Sequence, residues 1–62
     1  MNYLNKRIII THEGEVVEAK VSEISPSAKY FKLIIQPRYE GEKQEWIWAV
    51  FEKTTILEIL KS

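Results

Sequence analysis

Three features of the sequence predict a small all-β domain. Apolar and polar residues alternate around Val17, Ala19, Val21 and again around Phe31, Leu33, Ile35, which is the period of a strand with one buried face. Polar segments centred on Gly14 and Gly41 separate the apolar runs, as hairpin loops do. The third feature is the run Trp46-Ile47-Trp48-Ala49-Val50-Phe51, six apolar residues that include both tryptophans. Successive strand side chains point to opposite faces, so this run offers neither face to water. A chain of 62 residues is a single domain over its whole length, with one core and no room for a deep catalytic cavity. One face of the run is therefore expected outside the core, and that leftover apolar face is the strongest functional clue in the chain.

Taken in order, residues 1–5 are a lead with little pattern. Ile8-Ile9-Ile10-Thr11 is a β-branched run and reads as the first strand. His12-Glu13-Gly14-Glu15 reads as a turn, with Gly14 able to take a positive φ. The second strand follows, with Val17, Ala19 and Val21 on one side and Glu18, Lys20 and Ser22 on the other, closing a first hairpin. Ser25-Pro26-Ser27-Ala28 breaks the pattern, because proline cannot donate to a ladder and serines favour turns. Lys29 to Gln36 is the third strand, with Phe31, Leu33 and Ile35 toward the core and Tyr30, Lys32, Ile34 and Gln36 away from it. A polar loop from Pro37 to Gln44 leads into the tryptophan run, which completes a second hairpin.

The last stretch, Lys53 to Lys61, fits two patterns. Ile56, Leu57, Ile59 and Leu60 make a helix face, Thr55 and Glu58 have capping-box spacing, and Lys61 suits a helix C-terminus. A short C-terminal helix is the expectation, and a fifth strand in which Ile56, Glu58 and Leu60 share a face is the alternative.

Nine Lys and Arg balance nine acidic residues, all of them Glu, for a net charge of +0. A neutral chain lacks the positive field that drives sequence-independent binding to phosphate backbones. There is no cysteine, hence no disulfide and no thiolate metal site. No signal peptide and no apolar run near the ~20 residues of a membrane-spanning helix stand out, so a cytoplasmic location without membrane attachment is expected. His12 is the lone histidine; without a second histidine, a cysteine or an aspartate it makes neither a metal site nor a nucleophilic triad and reads as a solvated turn residue. Glu40, Glu42 and Glu45 read as a solvated loop that also guards a strand edge. No enzyme activity, cofactor, metal or small-molecule substrate is expected.

Two hairpins and a short terminal segment are the layout of an SH3-like small barrel of four or five strands. Glu13-Gly14-Glu15 in the first turn, Ser22-Glu23-Ile24, Ala49-Val50-Phe51-Glu52-Lys53 and Glu58-Ile59-Leu60 follow at spacings through which the chain resembles the archaeal seven-kilodalton chromatin proteins. That resemblance implies an SH3-like barrel with a C-terminal helix and an outward sheet face that lies on duplex DNA, with apolar side chains wedged between base steps. Carried over by position, the face would take Tyr30, Lys32, Ile34 and Gln36 from the third strand and Ile47, Ala49 and Phe51 from the fourth. Amphipathic reasoning instead turns Trp46 and Trp48 outward, and the sequence leaves that parity open. The chain departs from the family's strongly basic character, which weighs against duplex binding.

The binding face is thus expected to comprise Tyr30, Lys32, Ile34, Gln36, Trp46 and Trp48, with Ile47, Ala49 and Phe51 as the alternative on the fourth strand. Lys29, Arg38 and Lys43 are the candidate phosphate contacts. A protein partner is the first expectation for this face, duplex DNA the second and self-association the third.

Overall fold

The computed structural model describes residues 3–37 and 39–60. Its strands are β1 (Arg7–His12), β2 (Glu15–Ile24), β3 (Tyr30–Ile35), β4 (Glu45–Val50) and β5 (Ile56–Leu60). All pair antiparallel in one five-stranded sheet of order β4-β3-β2-β1-β5. The ladder does not close on itself, and β4 and β5 are its two edges.

The β1–β2 hairpin closes through a two-residue loop. His12 pairs with Glu15, and Glu13 and Gly14 between them have φ of 52° and 79°. Two consecutive positive φ values are the mark of a type I′ turn, whose twist matches that of the strands it joins. The turn between β2 and β3 is built by its serines. Ala28 N–H donates to Ser25 C=O at 2.8 Å, while the Ser25 and Ser27 hydroxyls accept from the backbone N–H groups of Tyr30 and Lys29.

Ile8, Ile10, Val17, Ala19, Val21, Phe31, Leu33 and Ile35 are the buried core, and all project from one face of the sheet. Alternation on β1, β2 and β3 puts them there. No helix or second sheet among the described residues covers that face, so the sheet must curve over its own core. Phe51 helps to close one end, its ring 5.3 Å from both Phe31 and Tyr3. Tyr3 belongs to the stretch in which the sequence shows little pattern, and the segment is tied down by Asn5 N–H bonding Val21 C=O at 2.8 Å.

The expected C-terminal helix does not form. Residues Phe51–Lys53 make one short 3-10 turn, and Ile56–Leu60 are strand β5. The Thr55–Glu58 capping box is therefore absent, and the Thr54 hydroxyl donates to Val50 C=O at 2.9 Å. A helix of that length is marginal in water. Pairing of Arg7, Ile8 and Ile9 with Leu60, Ile59 and Glu58 instead satisfies the backbone groups that the two segments turn toward each other. Lys61, expected at the helix C-terminus, lies outside the described residues.

The turn chemistry is directly testable. Gly14 has open space where a Cβ would sit, so its substitution costs only the backbone term. Gly14→Val is expected to lower stability by about 1–2 kcal/mol and Glu13→Asn to raise it by roughly 1 kcal/mol, both read from urea unfolding.

Candidate binding face

The direction of each β4 side chain follows from its hydrogen bonds. Phe51 N–H donates to Lys29 C=O at 2.9 Å, continuing the register in which Tyr30 faces Val50, Lys32 faces Trp48 and Ile34 faces Trp46. Ile47 lies opposite Leu33 and Ala49 opposite Phe31, both core residues, so Ile47, Ala49 and Phe51 pack against the core. Trp46, Trp48 and Val50 are thereby turned outward. Trp46 is 59% exposed, Trp48 50% and Tyr30 47%. The alternative set Ile47, Ala49 and Phe51 does not form an outward surface, because those side chains cover the edge of the core.

On the outward face, cross-strand rows run Trp46, Ile34, Lys20, Arg7 and Trp48, Lys32, Glu23, with Tyr30 beside Val50 at one end. Gln36 continues the third strand beyond its last paired residue, its N–H bonding Glu18 C=O at 2.9 Å, and is half-buried. Sequence reasoning named Tyr30, Lys32, Ile34, Gln36, Trp46 and Trp48 for this face, and β3 and β4 bring them alongside one another. It missed Glu23. A bulge between Val21 and Glu23 shifts the register, so that Glu23 rather than Ser22 stands beside Lys32. The break in alternation at Ser22-Glu23 was the available signal.

Two of the three cations on these rows are paired, and Lys20 makes no ion pair among the described residues. Lys32 Nζ lies 3.4 Å from a Glu23 carboxylate oxygen and 4.5 Å from the centre of a Trp46 ring. Arg7 and Glu18 approach to 3.7 Å. Ion pairs this exposed contribute little to stability, but they neutralise the cations where a ligand would meet them. The candidate phosphate contacts stand apart. Lys29 precedes β3, whereas Lys43 borders a small pocket beyond its other end with His12, Glu13, Glu15, Glu42 and Glu45. At the rise of a strand, six residues separate the two ends by roughly 20 Å. Arg38 lies outside the described residues. His12 and Glu13 come within 4.0 Å of each other in the hairpin turn.

A second apolar feature adjoins the face. Tyr3, Ile24, Ala28, Tyr30, Phe31 and Phe51 line an open groove of about 310 Å³. Tyr30 belongs to both the groove and the outward face, so the exposed apolar surface continues around the end of the sheet.

Comparison with protein-family models, with curated proteins and with solved structures finds no match to this chain.

The contact between Lys32 and Trp46 is measurable on its own. A double-mutant cycle with Lys32→Met and Trp46→Leu is expected to give a coupling of about 0.5–1 kcal/mol in urea unfolding, the size of an exposed cation–π contact. Zero coupling would mean that the ammonium does not rest on the ring.

Proposed function

We propose that this chain is an SH3-like small barrel acting as a non-catalytic protein-interaction module, with the outward face of β3 and β4 as its binding surface. The observation that carries the reading is the contiguous exposure of Tyr30, Trp46, Trp48 and Val50, with half-buried Ile34 between them, around a lysine already engaged by Glu23. Large rigid aromatics surrounded by partly apolar neighbours are what the energetic centres of protein interfaces use, and clustered apolar exposure on a small domain marks an interaction site. The strand order β4-β3-β2-β1-β5, with a 3-10 turn between β4 and β5, is the arrangement expected of an SH3-like barrel and supports that part of the proposal.

The resemblance to chromatin proteins supplies the rival reading, duplex DNA. It asks for cations free to displace counterions from phosphates. On this face Arg7 and Lys32 each have a carboxylate partner, Lys20 beside Ile34 is exposed and without an ion pair among the described residues, and Lys29 and Lys43 sit toward opposite ends. The protein reading is therefore the better supported of the two.

Titration with a short fluorescent DNA duplex, at low and at physiological salt, separates them. No binding is expected in either buffer, and tryptophan emission should stay unchanged. Binding that falls steeply with salt and alters tryptophan emission would overturn the protein-interaction reading.

A further inference from the structure

The edge of β4 carries information that its exposed face does not. In an antiparallel ladder, every second residue turns its N–H and C=O toward the neighbouring strand and the others turn theirs away. The bond from Phe51 N–H to Lys29 C=O makes Lys29–Phe51 a hydrogen-bonded pair. In the same register Phe31–Ala49, Leu33–Ile47 and Ile35–Glu45 are hydrogen-bonded pairs too. Tyr30 C=O accepts from Ser25 N–H on the β2 side, and Gln36 N–H donates to Glu18 on that side, so the even-numbered residues of β3 point away from β4, in agreement. The backbone groups of Trp46, Trp48 and Val50 therefore face the open edge. Among the described residues, the Thr54 hydroxyl donates to Val50 C=O at 2.9 Å, and a carbonyl has a second lone pair to offer.

Edge strands are usually blunted by lysine, proline, a bulge or an inward charge. From Trp46 to Val50, β4 has none of these. The opposite edge does, for β5 is interrupted by a register shift and carries Glu58.

We propose that β4 pairs antiparallel with β4 of a second copy of this chain, about a two-fold axis beside Trp48, so that the sheet continues across a dimer. The occupant follows from self-complementarity. The register that uses all three outward-facing residues of the strand sets Trp48 against Trp48 and Trp46 against Val50. It leaves Glu45, the single charged residue of β4, opposite Phe51 of the other copy, so no like charges meet within the paired strands. A chain of net charge +0 also adds no long-range repulsion between copies. Strand addition of this kind uses backbone hydrogen bonds for affinity, and it leaves the tryptophan rings on the outward face. The dimer would thus join two such faces into one broader apolar surface. This inference concerns the edge of the strand and does not depend on what the face binds.

Sedimentation velocity over a wide concentration range tests the assembly, and cysteine pairing tests the register. Apparent mass is expected to rise from 7.3 kDa toward twice that value and to stop there. The chain has no cysteine of its own, and residues opposed in a hydrogen-bonded pair have Cα atoms about 5.5 Å apart, within disulfide range. Trp48→Cys is expected to cross-link to itself under mild oxidation. Trp46→Cys and Val50→Cys should each stay unlinked alone and cross-link when mixed. A monomer at every concentration overturns the proposal. So does open-ended polymer, which would mean β4 meeting β5 head to tail, and so does self-linking of Trp46→Cys, which would mean another register. A monomer would leave the protein-interaction reading of the face intact, whereas duplex binding would remove that reading and leave the dimer standing.

Discussion

Strand β4 can bury only one of its two apolar faces, and the rest of the surface follows from which one it buries. The core on β1, β2 and β3 is already filled by residues such as Ile8, Ala19, Val21 and Leu33 with essentially no exposure. What β4 adds is a rim, in which Ile47, Ala49 and Phe51 cover the open side. Phe51 fixes the parity twice over. Its N–H continues the ladder to Lys29, and its ring packs edge-on to Phe31. A shift of one residue would flip every β4 side chain. It would withdraw Phe51 from Phe31 and push two indoles toward a space now occupied by an isoleucine and an alanine.

With that parity set, the outward face acquires its chemistry from neighbours in the sheet. Ile34 and Tyr30 extend the apolar surface from β4 onto β3. The bulge in β2 places Glu23 beside Lys32, so the central cation is both stacked and paired. Apolar and aromatic groups around a paired cation are the basis on which a protein partner is proposed for this surface. The same hydrogen-bond parity that exposes Trp46 and Trp48 as side chains also leaves their backbone groups at the sheet edge. Face and edge are two consequences of one register.

Most of the strand layout was legible from the chain. Val17-Ala19-Val21 and Phe31-Leu33-Ile35 alternate cleanly, and the buried residues of β2 and β3 are those. Gly14 marked the first turn for the reason the structure gives, a positive φ. The parity of β4 was not legible, because alternation carries no signal where both faces are apolar and only the long-range contact of Phe51 with Phe31 decides. The last segment misled because Ile56, Leu57, Ile59 and Leu60 satisfy a helical and a strand pattern equally. What decided there was the free edge of β1, which no local pattern reports. Tyr3 was missed for a similar reason, since its ring finds Phe51 across 48 positions of sequence. The register shift in β2 left a trace in the broken alternation at Ser22-Glu23, whereas that between β1 and β5 left none.

The outward parity of β4 is best tested by acrylamide quenching of tryptophan fluorescence in the folded protein at low micromolar concentration, with the urea-unfolded chain as reference. Both indoles are expected to be quenched to an extent approaching that of the unfolded chain, because Trp46 and Trp48 are each at least half exposed. Emission shifted to the blue and protected from quencher would contradict this. It would place the tryptophans in the core and Ile47, Ala49 and Phe51 on the surface, and both the proposed face and the proposed edge would have to be abandoned.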